Sequence, residues 1–294
     1  MAKSKIKKVL TTTLKILISI AAVAYVYYKI DDDTKADIVE ALKKSNLFYL
    51  IAAFILFNLS KIISSIRLNR YFKCIKVQLP EGFNLKLYYL GMFYNLFLPG
   101  GIGGDGYKVY YLQKHHGGNT KKLIAATLLD RLSGVVVLGF LALILAVVSS
   151  LEQLVIAQEL ILIVLAVLAF PIFWLIHNKF FKDFNPEFIR ALIMGFGVQL
   201  SQLLCAAFIL WAISAQGLFF DYMTLFLISS VVAVLPFTIG GVGARELVML
   251  EGVVLFTSLS AYNAQATAIT FSILFFVITA ISSLIGIVFS IKLK

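Results

Sequence analysis

Leu98-Pro-Gly-Gly-Ile-Gly-Gly-Asp-Gly-Tyr-Lys108 and Leu235-Pro-Phe-Thr-Ile-Gly-Gly-Val-Gly-Ala-Arg245 are two copies of one stretch. Aligned at a constant offset they share Leu98/Leu235, Pro99/Pro236, Ile102/Ile239, Gly103/Gly240, Gly104/Gly241 and Gly106/Gly243, and each ends on a cation, Lys108 or Arg245. Both copies interrupt strongly apolar sequence. Glycine and proline there break a helix and free backbone N–H and C=O groups, which lipid tolerates only inside protein or beside a watery cavity. The repeat therefore reads as the apices of two re-entrant segments that together line a site for an anionic group.

The surroundings support that setting. Of 294 residues, 61% are hydrophobic and 14% charged, with a mean hydropathy of +0.94. A soluble domain carries roughly a quarter charged residues, so the composition is that of a polytopic membrane protein. The net charge of +11 does not indicate nucleic acid, because the basic residues lie scattered between apolar runs and read as topology signals. Cys74 and Cys205 lie far apart, with no CxxC or His partner spacing, so neither a disulfide framework nor a metal site is expected. No cofactor is expected either.

The amino end places Lys3, Lys5, Lys7 and Lys8 before an apolar run from Leu10 to Tyr28. Ala22-Val-Ala24 offers a small-residue cleavage site for a signal peptide. The run nevertheless exceeds the usual h-region of about 7–15 residues and ends in an interfacial aromatic group, Tyr25, Tyr27 and Tyr28, which favours an uncleaved first span.

A crossing needs about 20 apolar residues. Six candidates satisfy this, at 9–28, 47–66, 124–148, 159–176, 190–213 and 264–290. Basic clusters precede the first span, follow the second (Arg67, Arg70, Lys73, Lys76), precede the third (Lys114, Lys121, Lys122), follow the fourth (Lys179, Lys182, Arg190) and end the chain. Acidic residues dominate the alternate loops, with Asp31, Asp32, Asp33, Asp37 and Glu40 in one, Glu152 and Glu159 in another, and Asp221 in the third. Both termini are then expected on the cytoplasmic side.

Two apolar regions remain, 84–112 and 222–258, each bent at one copy of the repeat. The first is flanked by basic loops and should enter and leave from the cytoplasm; the second should do so from outside. Spans 47–66 and 124–148 bracket one, and 190–213 and 264–290 bracket the other. The expected fold is thus an all-α integral membrane protein with six spanning helices plus two re-entrant helical hairpins in an inverted repeat. Repeat A is about 47–148 and repeat B about 190–290, with the first span and the connecting span 159–176 outside the repeats, an organisation known from transporters. The alternatives are two full crossings per region, for which the pieces beside the breaks are too short, or glycines that serve only close helix packing.

Gly101, Gly103 and Gly106 satisfy the spacing G-x-G-x-x-G, but that pattern signals dinucleotide binding only after a strand in a βαβ unit. Here it follows Tyr88, Tyr89, Phe93, Tyr94 and Phe97, and the second copy lacks the spacing. Helix ends explain the pattern better. If each apex starts a half-helix, near Asp105 and Gly243, free N–H groups and the positive dipole end face the cavity. Asp105 is a candidate N-cap, Lys108 and Arg245 add charge within a turn, and Asn95 stands one turn before Pro99 as a further donor.

Charge within the bilayer is a functional signal by default. Asp130 and Arg131 lie nine and ten residues beyond Lys121, so about 13–15 Å down the third span. As helix neighbours they face different partners, expected across the protein at Arg245 and Glu246; the alternative is a structural ion-pair network without a ligand. Lys15 and Lys61 are expected to snorkel, and Glu251 to approach the outer headgroups. His115 and His116 fall in a loop, His177 marks a span end, and no H-E-x-x-H or G-x-S-x-G occurs, so an enzyme is not expected, although Asp130 and Glu246 leave a membrane-embedded acid/base pair open.

With Asn95-Leu-Phe-Leu-Pro-Gly-Gly-Ile-Gly-Gly-Asp105, Asp130-Arg131 and Leu235 to Glu246 in this order, the chain resembles the lysylphosphatidylglycerol synthase transmembrane-region family, also called flippase-like domain proteins. The likeness runs from the first span to the last. It implies a membrane fold associated with moving lipids such as aminoacylated phosphatidylglycerol or polyprenyl-linked sugars between leaflets, and with it the expected location, a prokaryotic cytoplasmic (inner) membrane. The implied headgroup-binding residues are Asn95, Pro99, Gly100, Gly101, Gly103, Gly104, Asp105, Asp130, Arg131, Gly240, Gly241, Gly243, Arg245 and Glu246, to which the repeat itself adds Lys108 and Pro236. In full-length synthases a soluble aminoacyl-transferring domain follows the membrane region, whereas this sequence stops at Lys294 and is not expected to make the modified lipid. The expected partner is an anionic membrane lipid. The alternative is a non-transporting lipid-binding partner of a lipid- or glycan-modifying enzyme.

Overall fold

The computed structural model describes residues 17, 20–97, 103–149, 156–215, 217–234, 243–256 and 261–290, and these are helical with short connections. In chain order the helices are α1 (20–29), α2 (Asp32–Lys44), α3 (Leu47–Cys74), α4 (Glu81–Phe97), α5 (Gly103–His116), α6 (Thr120–Val148), α7 (Ile156–Phe180), α8 (Phe188–Ala212), α9 (Phe219–Val234), α10 (Ala244–Phe256) and α11 (Ala261–Ser290). A short 3-10 segment, Lys182–Glu187, joins α7 to α8. Five helical stretches are long and apolar enough to cross a membrane: Leu47–Cys74, Thr120–Val148, Gln158–Phe180, Lys182–Ala212 and Ala264–Phe289. They coincide with five of the six expected spans. Most of the sixth, 9–28, lies outside the described residues, as do 98–102 and 235–242 at the centres of the two repeat copies.

Local chemistry sets the helix starts. Asn46 caps α3 by accepting from the Phe48 N–H at 2.9 Å, and Asn119 caps α6 by accepting from Lys121 N–H at 3.0 Å, each satisfying a donor left orphaned by the first turn. The acidic stretch expected as a loop is helix α2. Asp31 accepts from Thr34 N–H at 2.7 Å, Asp32 and Asp33 occupy its first turn, and Lys43 and Lys44 occupy its last, the charge order the helix dipole favours. A second correction concerns α3: the basic cluster expected in a loop after 66 is helical through Cys74. Arg67 is 4% exposed within it, because a buried acid neutralises it.

α3 and α8 pack side by side and run antiparallel. Asn46 N–H at the start of α3 donates to Ala212 O at the end of α8, 2.8 Å away. Further along, Gly197 leaves room for Ile63, and Gly195 for the Arg67 guanidinium. Around this pair the partners are exchanged: α4, from the first half of the chain, packs on α11 from the second, and α9 from the second packs on α6 from the first. α4 and α5 fold back on each other, with Tyr94 against Tyr107 (ring centroids 4.8 Å) and Phe83 against Tyr111 (5.9 Å); α9 and α10 likewise pack together.

The closest helix approaches are made by glycine, the residue that lets backbones meet in a membrane interior. A Cβ on Gly104 would lie 1.8 Å from Gly91 O, and one on Gly286 would lie 2.3 Å from Tyr89 O. Phe57, Leu210, Phe226 and Phe271 centre one buried cluster, and Tyr71, Phe72, Leu87 and Leu129 another. Outward, α7 exposes Leu160, Ile161, Val164, Leu165, Val167 and Leu168. Water would make such a stripe unfavourable, whereas acyl chains solvate it.

Candidate functional site

Eight helices, α3 to α6 and α8 to α11, surround one cavity of about 330 Å³. Lys61 reaches it from fourteen residues into the 28-residue α3, so about 21 Å along a helix of about 42 Å. Three acids and five bases line it: Asp105, Asp130 and Glu246 against Lys61, Arg67, Lys108, Arg131 and Arg245. Five minus three leaves a net charge of +2 on these side chains. The undescribed segments 98–102 and 235–242 contain no ionisable side chain and leave that balance unaltered.

On one side every cation has an acid. Asp105 lies between Lys108 Nζ at 2.9 Å and Arg131 Nε at 2.5 Å. Asp130 accepts from Arg67 Nε at 2.7 Å, and Arg67 Nη2 also donates to the Asp130 carbonyl at 3.0 Å. Gly134 and Gly195 make the space: a Cβ on either would stand within 3.5 Å of the guanidinium nitrogens. Lys108 lies along Gly91, where a Cβ would meet its Cε at 2.3 Å, and its Nζ sits 4.5 Å from the Tyr88 ring centre.

The other side is built on aromatic rings. Phe57 and Phe275 meet edge to face at 5.7 Å, and Phe226 joins Phe275 at 4.9 Å. Lys61 Nζ stands 4.3 Å above the Phe57 ring, and the Arg245 guanidinium 4.3 Å above Phe275 and 5.4 Å from Phe226. Cation–π contact stabilises a desolvated charge by about 2 kcal/mol and leaves its N–H donors free. Among the described residues neither Lys61 nor Arg245 forms an ion pair. Nη1 of Arg245 and Nη1 of Arg67 are buried and meet no acceptor among the described residues. Glu246 is engaged otherwise, accepting from Gly243 N–H at 2.7 Å and from Ser272 Oγ at 2.9 Å.

Of the residues expected from sequence, Asn95, Asp105, Lys108, Asp130, Arg131, Arg245 and Glu246 all line this cavity. The closing cations of the two repeat copies thus face one space. Pro99, Gly100, Gly101, Pro236, Gly240 and Gly241 lie outside the described residues. Gly103, Gly104 and Gly243 are not on the cavity wall. For Gly104 close packing is the better account, since α4 backbone fills its side-chain position.

The partners differ from expectation in four respects. Asp130 and Arg131 pair with Arg67 and Asp105, not with Arg245 and Glu246. Asp105 is not an N-cap: α5 begins at Gly103, and the carboxylate serves two cations instead. Two N–H groups beside the apices are already used, Gly104 N–H by Asn95 Oδ1 at 2.8 Å and Gly243 N–H by Glu246, so Asn95 accepts there instead of donating to the cavity. Lys61 does not snorkel to an interface; it enters the cavity. Sequence reasoning also passed over Arg67, Gln199 and Gln202, which share the wall. A signal existed in each case, a polar residue inside an apolar helix, but the basic cluster around Arg67 concealed it.

At the chain's outer surface, Glu251 on α10 accepts from Lys29 Nζ at 2.5 Å and from the Tyr25 hydroxyl at 3.0 Å, tying it to α1. Such half-exposed pairs contribute little.

Compared with known proteins, residues 12–286 match the family model described as lysylphosphatidylglycerol synthase TM region. No curated protein matches the chain.

Proposed function

Since the chain belongs to the lysylphosphatidylglycerol synthase TM region family, we propose that this multi-pass membrane protein is a lipid translocase. It takes the phosphate-bearing headgroup of an anionic phospholipid or polyprenyl-phosphate-linked lipid into the cavity while the chains stay in the membrane. One observation carries this reading: amid helices that face lipid, one cavity concentrates a net charge of +2. Charge at that depth is costly, and an entering phosphate offsets the cost.

The packing supports an inverted repeat. Matching helices of the two halves, α3 and α8, run antiparallel, and α4 on α11 answers α9 on α6. A twofold axis in the membrane plane generates both relations. The paired helices suit re-entrant hairpins, because α4 and α5 have 17 and 14 residues and α9 and α10 have 16 and 13, short of the roughly 20 a crossing needs. The end carrying Lys121, Lys122, Lys182 and Arg190 is then cytoplasmic in a prokaryotic inner membrane, together with both termini. The lipid leaves chemically unchanged.

A leaflet-resolved assay tests translocation. The purified chain is reconstituted into phosphatidylcholine vesicles holding a trace of fluorescent phosphatidylglycerol or fluorescent phosphatidic acid, and the outer leaflet is quenched. Vesicles with protein should lose more than the outer-leaflet half of the signal for at least one probe, and Arg245→Gln should reduce the rate at least tenfold. Binding of either lipid without any change of sidedness excludes translocation and leaves a lipid-holding partner. A covalently altered probe on mass spectrometry would instead show an enzyme.

A further inference from the structure

Lys61 is the cation that neither the repeat nor its acidic neighbours explain. It stands on the Phe57 ring, has no ion pair among the described residues, and shares one cavity wall with Arg67 and Arg245, each of which repels its charge. Like charges gathered in a low dielectric are unfavourable, and an aromatic face offsets only part of that cost. Such a grouping persists at low cost when a shared anion visits it.

The rest of the wall fixes what that anion is. Asp105 is shared by two bases, Asp130 is paired with Arg67, and Glu246 is held by Gly243 N–H and Ser272, so each carboxylate is already engaged and the wall favours an anion over an ammonium group. The uncompensated charge is +2; among the described residues two buried donors, Arg67 Nη1 and Arg245 Nη1, meet no acceptor, and Lys61 Nζ forms no ion pair. A phosphodiester carries one negative charge and two non-bridging oxygens. A phosphate monoester carries nearly two charges near neutral pH and presents three acceptor oxygens, which matches both the charge and the donors.

We infer that Lys61, with Arg245 and Arg67, forms a site on an aromatic floor for a dianionic phosphate monoester carried by a lipid, and that Lys61 sets the preference over phosphodiester lipids. This rests on the cavity being a lipid-headgroup site, and the experiment separates the two claims. Binding of dioleoyl phosphatidic acid, phosphatidylglycerol and phosphatidylcholine to the purified full chain is measured at pH 8 by native mass spectrometry. Phosphatidic acid should bind at least about tenfold tighter than phosphatidylglycerol, a factor of ten being one step of about 1.4 kcal/mol. Lys61→Gln should shrink the ratio to about twofold, and Lys61→Arg should keep most of it.

Equal affinity of the unmodified chain for phosphatidic acid and phosphatidylglycerol overturns the inference, whether or not Lys61→Gln folds. So does a ratio that survives Lys61→Gln. If both anionic lipids still outcompete phosphatidylcholine, the headgroup site stands; if all three bind alike, that site falls too. Soluble glycerol 3-phosphate binding as tightly as phosphatidic acid overturns the lipid source and the inference with it.

Discussion

Lys108 and Arg245 occupy the same place in two copies of one motif, line one cavity, and are held by opposite means. Lys108 lies 2.9 Å from Asp105, a carboxylate it shares with Arg131. Arg245 rests 4.3 Å from the Phe275 ring, with a buried Nη1 that meets no acceptor among the described residues. A carboxylate partner cancels a buried charge and occupies its donors, whereas an aromatic face leaves the charge and most donors available. The equivalent cations have thus diverged: Lys108 is neutralised within the framework, whereas Arg245, like Lys61, rests on an aromatic ring, and the proposed function assigns these two to the ligand.

The comparison breaks most readily at Asp105. Asp105→Ala strands Lys108, which is 5% exposed, and removing one partner of a buried pair costs about 3–5 kcal/mol. The variant should show a much lower unfolding midpoint in detergent or fail to accumulate; a wild-type midpoint would mean that Asp105 does not neutralise Lys108. The shared glycine, Gly106 in one copy and Gly243 in the other, sharpens the contrast. Gly243 has φ +81, so Gly243→Ala should cost about 1–2 kcal/mol. Gly106 is helical with nothing within 4 Å of an added Cβ, so Gly106→Ala should be neutral or stabilise by up to about 1 kcal/mol. Thermal unfolding of the two variants side by side checks the divergence. The smallest effect on affinity belongs to Phe275→Leu: Arg245 keeps the Phe226 ring, so phosphatidic acid binding should weaken only about two- to fivefold, while loss of a buried core ring should lower the unfolding midpoint by the equivalent of about 1 kcal/mol.

Sequence revealed the framework well because lipid imposes length. The runs starting near 47, 124, 159, 190 and 264 became five long helices, and the repeat led directly to Lys108 and Arg245 in one cavity. It revealed partners poorly, since pairing depends on which helices meet. Asp130 finds Arg67, 63 positions earlier, because α3 packs on α6, and no spacing rule encodes that contact. The charge-pattern rule also misled: a basic cluster after a span reads as a loop, yet α3 carries Arg67 inside the protein and only Lys73 and Lys76 stay exposed. The α2 helix was legible and unread, for its acidic start and basic end at Asp32–Asp33 and Lys43–Lys44 are ordinary helix punctuation.

The most direct test of this division of labour is phosphatidic acid affinity per folded molecule, measured on Lys108→Gln and Arg245→Gln in parallel with their unfolding midpoints. Arg245→Gln should lose about tenfold in affinity and keep its midpoint. Lys108→Gln should lower the midpoint, since Asp105 then has only Arg131, and keep its affinity within about twofold. Equal loss of affinity in both variants, or a midpoint that falls only for Arg245→Gln, would contradict the account.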